Sequence, residues 1–358
     1  VSIKVAVIEG DDAAPEAMQP CVDLIDSMNL GIEWVYPTIG DEAKKATGST
    51  FPDSAQKVID EAAATYFGST SGSASRALFY LRWGKETFAN VRPCRYFPGA
   101  NSPLARPEGI DFVIVRENLE DMYIGIEGDL AELAGINFQR RTRRGSIADM
   151  GEGRFAIKAI TREGTERVVR FSFELARERA AKSGNPAKLT CTTKYNMLSK
   201  SDGYFKEIAE ELASEYSDVA FNTFIIDDFA CRMIREPHSF DVVVMPNLYG
   251  DIMSDGAAGL IGGLGLAPSG CYGVDYAYFE SAHGTAPDIA GQFIINPTAT
   301  LLSGSMMLAY LGLTEAAAQI DQAVIDVYAS GDSLTPDQGG SASTGEFCAA
   351  VLDRLASA

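Results

Sequence analysis

The chain has 358 residues, 46% of them hydrophobic, with 34 glycines and a net charge of −19; it is long enough for one large or two moderate domains, and too acidic for a nucleic-acid binder, because phosphate backbones demand clustered Lys and Arg. No apolar run reaches the about 20 residues that span a bilayer, and VSIKVAVIEG at the start carries no secretory pattern, so a soluble, cytoplasmic protein without a membrane partner is expected. Six scattered cysteines without a CxxC pair, and only His238 and His283, argue against structural zinc and point any metal chemistry toward oxygen ligands.

Along the chain, residues 5–8 read as a strand and 15–28 as a helix. The segment GSASRALFYLRWG contains Arg82; in ideal helical geometry Ser75, Leu78 and Phe79 share its face and Arg76 lies off it. Arg92 follows in NVRPC and Arg116 in VREN, the latter closing a strand at 112–116. Each arginine lies beside an apolar run. Arg suits planar, bidentate recognition of carboxylates, although surface arginines also snorkel over apolar surface. Pro and Gly cluster at 97–109, a candidate crossing between domains, and an Arg- and Gly-rich arm is expected at 137–157. Residues 166–180 are helical by periodicity, 221–226 and 241–245 read as strands, 301–311 and 315–328 as helices, and 336–340 as a break. This alternation predicts an α/β fold with a largely parallel sheet.

Two segments carry candidate chemistry. NLYGDIMSDGAAGLIGGLG places Asp251 and Asp255 four residues apart, on one face if helical. They are either acids at a helix start, favoured by the dipole, or cation ligands with a third carboxylate from Asp227 or Asp228, at the end of the strand at 221–226. AHGTAPDIAGQFIINP is rich in small residues that let a backbone approach a ligand, but it has neither GxGxxG nor a Walker A pattern.

These blocks together resemble the metal-dependent β-decarboxylating dehydrogenases, the isocitrate/isopropylmalate dehydrogenase family, over nearly the whole chain. NVRPCRYFPGANSPLARPEGIDFVIVRENLEDMYIGIEG is similar to the isocitrate dehydrogenase block and ITREGTERVVRFSFELA to the helix after the family's arm. NLYGDIMSDGAAGLIGGLGLAPS is similar to its metal motif and HGTAPDIAG to its adenosine loop. The resemblance implies a large α/β cofactor domain of residues 1–98 and 254–358, and a smaller α/β substrate and dimerisation domain of 99–253 bearing the arm. It implies that Asp227, Asp251 and Asp255 bind Mg²⁺ or Mn²⁺, that Arg82, Arg92 and Arg116 clamp substrate carboxylates, and that Tyr123, Lys194 and Asp251 serve catalysis. Lys194 and Asp227 are expected to come from the partner subunit of a homodimer.

For the cofactor the resemblance implies NAD, held by His283, Gly284, Thr285, Ala286, Pro287, Asp288, Ile289, Asn296 and Asp337. Positions at which NADP-using relatives carry Lys, Tyr, Tyr and Arg read Asp288, Ile289, Pro336 and Gly340. An acidic side chain accepts from ribose hydroxyls and repels a 2′-phosphate.

Two stretches depart from the family pattern. The turn usually written GDGIGPE reads GDDAAPE here, so two glycines are missing. The Ser and Asn by which isocitrate dehydrogenases recognise the γ-carboxylate are replaced by Arg76 and Leu78. The block RENLEDMYIGIEG favours isocitrate or homoisocitrate as substrate; Leu78 and Phe79 lean toward an alkylmalate, and a malate or tartrate is third. A non-catalytic regulatory subunit is the alternative from another class, and the presence of Tyr123, Lys194 and all three aspartates weighs against it.

Overall fold

The computed structural model describes residues 2–72, 74–136, 138–140 and 145–357. Its main sheet is built from β1 (Ile3–Ile8), β2 (Ile32–Val35), β3 (Ala64–Phe67), β4 (Ala89–Arg95) and β5 (Asp111–Glu117). A separate hairpin pairs β6 (Glu127–Asp129) with β7 (Arg154–Ala156). The main sheet continues with β8 (Lys188–Thr193), β9 (Ala220–Ile225), β10 (Val242–Met245), β11 (Pro268–Tyr272) and β12 (Ala277–Ser281). The order across it is β2-β1-β3-β12-β11-β4-β5-β10-β8-β9. Both flanks are parallel, as the strand–helix alternation predicts, but the centre is not: β12, β11, β4 and β5 pair antiparallel. The Pro- and Gly-rich stretch at 97–109 is part of the connection between neighbouring β4 and β5.

Period-two alternation shows why both faces are covered. Phe112 and Ile114 of β5, with Val243 and Met245 of β10, join one core; Val113, Val115, Val242 and Val244 join the other. The first core receives helices Ala14–Ser27, Thr298–Tyr310 and Thr314–Ser330, the second Arg162–Ser183 and Asp202–Ala213. Each such buried side chain contributes about 1.5–3 kcal/mol. Among the described residues no helix is long and apolar enough to cross a membrane.

Two local expectations are corrected, and a departure from the family pattern is accommodated. Asp251 and Asp255 lie well inside helix Asn247–Ile261, whose first turn holds no acid, so the dipole does not explain them. The helix expected through Arg82 ends at Phe79 and widens into a π turn over Tyr80–Gly84, with Lys85 and Thr87 amides bonding five residues back. The ideal face shared by Ser75, Leu78, Phe79 and Arg82 is therefore broken: Leu78 packs partly on the core beneath, while Arg76 and Phe79 are exposed. The turn at 10–16 manages with one glycine: Asp12 itself takes the left-handed conformation (φ +54°), and Ala14 opens a helix with ordinary geometry. Of the stretch at 137–157 in which an arm is expected, residue 137 and residues 141–144 lie outside the described residues.

Beside the site, Glu117 is 1% exposed and its carboxylate accepts the Leu119 and Glu120 amides at 2.8 and 2.9 Å. Burial, only partly offset by those bonds, pushes it up from 4.5 to about 7. A raised carboxyl means the folded chain holds the proton more tightly, so its stabilising contribution is full below 4.5 and is lost as pH rises through 7. Between pH 5 and 8 the wild type should lose about 1–3 kcal/mol relative to Glu117→Gln. Urea titrations at several pH values measure this; a constant difference between the two proteins sinks it.

Candidate active site

Arg92 on β4, Arg116 on β5, Tyr123 in the turn Met122–Ile124 and two acids of helix Asn247–Ile261 converge at one point. The helix can come this close because residue 250 is glycine: a Cβ there would lie 2.5 Å from the Cβ of Arg116 and 2.9 Å from its Cα.

Arg116 is 1% exposed. Its Nε donates to Asn247 Oδ1 at 2.8 Å, its Nη1 pairs with Asp251 Oδ1, and its guanidinium lies 4.9 Å from the centre of the Tyr123 ring. The Tyr123 hydroxyl donates to Asp251 Oδ2 at 2.5 Å. Arg92 Nη1 donates to Ser254 Oγ at 2.7 Å and to Asp255 Oδ1 at 3.1 Å, and lies 3.5 Å from Asp251 Oδ1. Two donors are left over. Nη2 of Arg116 and Nε of Arg82 are buried without a hydrogen-bond partner among the described residues. Buried donors are rarely left so.

The electrostatics follow from the contacts. Burial alone would raise Asp251, but the Arg116 charge and the Tyr123 hydroxyl outweigh it and hold the carboxyl below its usual range. Burial pushes Asp255 up against the pull of Arg92. Burial and the bond to Asp251 both raise Tyr123, so it keeps its proton at neutral pH.

Asp251 and Asp255 suit a hard divalent cation: they are oxygen donors on successive turns, with side chains 34% and 48% exposed. Among the described residues, no three Asp, Glu, His or Cys side chains gather to hold one. Asp227 of the same chain thus does not join the pair; it forms an ion pair with Lys194, whose partnership draws its carboxyl down. A cation at Asp251 and Asp255 would draw further ligands from substrate or from a second copy.

The segment His283–Ile289 packs against the start of helix Ala14–Ser27. The Ala13 amide donates to the Thr285 carbonyl at 3.0 Å, and Ala286 is left-handed at φ +51°. Ile289 packs with Ala13, Ala17 and Ile295. His283 Nε2 is buried with no partner among the described residues, while Gly284, Pro287 and Asp288 are exposed. Asn296 Nδ2 donates to Asp337 Oδ2 at 3.0 Å, joining two of the expected cofactor residues. Orphan ring nitrogen, exposed acid and close backbone are compatible with a dinucleotide.

Sequence reasoning missed the supports. Asn247 orients Arg116 and Ser254 orients Arg92. Glu16 accepts the amides of Gly291 and, at 2.6 Å, Phe293, and so ties down the loop expected to meet the cofactor. Asn247 could have been marked by its place at a strand-to-helix junction; Glu16 and Ser254 carry no local signal, because their partners are remote in sequence.

Comparison with known proteins agrees with this geometry. A family model described as isocitrate/isopropylmalate dehydrogenase matches residues 4–351. A 3-isopropylmalate/3-methylmalate dehydrogenase of Methanocaldococcus jannaschii is 42% identical, over 98% of each chain. An isocitrate/homoisocitrate dehydrogenase of Thermus thermophilus is 37% identical over all of both. The crystal structure of isocitrate dehydrogenase from Methylococcus capsulatus superposes with a TM-score of 0.85 at 34% identity, covering 99% of each chain. The chain belongs to the isocitrate/isopropylmalate dehydrogenase family, oxidoreductases that act on the CH–OH group of hydroxy acids.

Proposed function

We propose that the chain acts as a homodimer in the NAD-dependent oxidative decarboxylation of a 2-hydroxy-3-carboxy acid, with a 3-alkylmalate preferred. The observation that carries the chemistry is Asp251, which holds both the buried Arg116 and the hydroxyl of Tyr123 beside two unpaired guanidinium donors. Residues 1–98 and 254–358 would carry the cofactor, and 99–253 the substrate and the second subunit.

In this reading Arg82, Arg92 and Arg116 hold the substrate carboxylates. Lys194 of a second copy takes the hydroxyl proton. When bound, a divalent cation at Asp251, Asp255 and the second copy's Asp227 would stabilise negative charge on substrate oxygens, and NAD would accept the hydride. Tyr123 keeps its proton at neutral pH and delivers it to the carbon that has lost CO₂.

Substrate preference rests on the segment around the π turn. Phe79 is 53% exposed and meets Trp83 edge-on at 5.3 Å; Trp83 is fixed by its Nε1 bond to the Leu119 carbonyl, and Arg82 lies 5.5 Å from the Trp83 ring centre. An open aromatic beside a carboxylate clamp favours an apolar third substituent, in keeping with the printed name of the M. jannaschii relative. Isocitrate or homoisocitrate is the second reading: Arg76 is exposed, makes no ion pair among the described residues, and could meet a third carboxylate. A panel of 3-methylmalate, 3-isopropylmalate, isocitrate, homoisocitrate and tartrate, assayed with Mn²⁺ and either NAD or NADP, decides. The highest kcat/KM is expected for an alkylmalate with NAD. A larger value for isocitrate selects the second reading, a preference for NADP removes the cofactor assignment, and no turnover of any member supports a regulatory subunit.

A further inference from the structure

We propose that Lys158 is a positioning residue that sets the proton donor of one active site and the lysine of the other at the same time. The inference rests on the shared-site reading above, in which Tyr123 serves its own site and Lys194 the partner's.

Lys158 follows β7, and its side chain is 12% exposed. Its Nζ lies 3.1 Å from Asp121 Oδ1 and 2.9 Å from Asp202 Oδ2, two carboxylates with no solvent exposure. It also lies 4.5 Å from the centre of the Tyr249 ring. The remaining oxygens of both acids reach functional elements. Asp121 Oδ2 accepts the Leu248 amide at 2.9 Å, in the first turn of the helix that carries Asp251 and Asp255. Asp202 Oδ1 accepts the amide of Lys194 itself at 3.0 Å.

Asp121 stands two residues before Tyr123 and has φ +68°, a conformation an L residue holds only when its surroundings enforce it. Those surroundings are the Lys158 ammonium and the paired backbone bonds with Ala159, at 2.9 and 3.3 Å. One buried cation thus joins the Tyr123 turn, the start of the helix of acids and the end of β8 that presents Lys194. Without it, two buried carboxylates would face each other uncompensated, and both would have to move. Misplacement of a catalytic group by an ångström costs about 10²-fold in rate.

Lys158→Met keeps the chain length and removes the charge. The expected result is a fall in kcat of about 10- to 100-fold, with KM changed by less than about threefold. The split is expected because, among the described residues, Arg92 and Arg116 donate to Asn90, Ser254, Asp255, Asn247 and Asp251 and not to Asp121 or Asp202. Where Lys158→Met does not fold, Lys158→Met combined with Asp202→Asn removes the repulsion, and the same split is expected. Dimers made by co-expressing two differently tagged chains then separate the claims. A hybrid of Tyr123→Phe with Lys194→Met should regain about half of the wild-type rate, since one complete site is rebuilt. A hybrid of wild type with Lys158→Met should fall well below half, because the single altered chain spoils both sites. If that hybrid keeps half or more, or if KM rises in step with the loss of kcat, the Lys158 role is overturned while the shared site stands. If the complementing hybrid regains nothing, the shared site is overturned and the two-site role goes with it.

Discussion

Asp251→Asn is expected to lower kcat by about a thousandfold or more. The amide keeps the size of the side chain but removes the charge that a divalent cation needs, and it leaves Arg116 and Arg92 facing each other without their shared counter-ion. The carboxylate is also the acceptor for the Tyr123 hydroxyl, so the proposed proton donor loses its charged partner as well. Two measurements check this. Steady-state turnover across a Mn²⁺ titration should stay near background, and the rise in Tm expected for the wild type on adding Mn²⁺, by mass action, should shrink or vanish. Turnover near the wild-type level would remove Asp251 from the mechanism.

Arg116→Met should produce the second large effect, on binding and stability together. The guanidinium is fully buried, and its loss strips partners from Asn247 and Asp251. Asp251 is about one-third exposed, so solvent softens the penalty, and a cost of about 2–3 kcal/mol is expected in urea denaturation. In the proposed reading a substrate carboxylate also loses a nearby buried cation, which should raise KM about a hundredfold. A loss of stability with KM unchanged would make Arg116 a purely structural arginine.

The parallel flanks, with their helices, were legible from short β-branched runs and 3.6-residue periodicity. The antiparallel centre was not, because β11 and β12 are short, and the pairing of β11 with β4 on one side and β12 on the other is set by packing rather than local preference. In the site, Arg92, Arg116, Tyr123, Asp251 and Asp255 could be named from sequence, since their neighbours form long, ordered blocks. The Lys158 cluster could not, because Asp121, Lys158 and Asp202 lie far apart in the chain, and nothing local about a lone lysine after a hairpin announces burial. The π turn was hidden for a similar reason: the sequence of residues 75–84 reads as ordinary helix, and the extra backbone bonds appear only where Lys85 and Thr87 bond back.

Gly250 also bears on how such a site can change over generations. Because the helix of acids rests on the backbone of Arg116, clamp and acids form one inflexible block whose internal spacing is set by an absent side chain. In a saturation screen, position 250 would tolerate as little as Asp251 does, although it touches nothing that reacts. In the segment that leads into the π turn, by contrast, Arg76 and Phe79 are exposed and can take new residues without disturbing that block. Drift there would retune which acid is accepted while the bond-breaking apparatus is inherited intact.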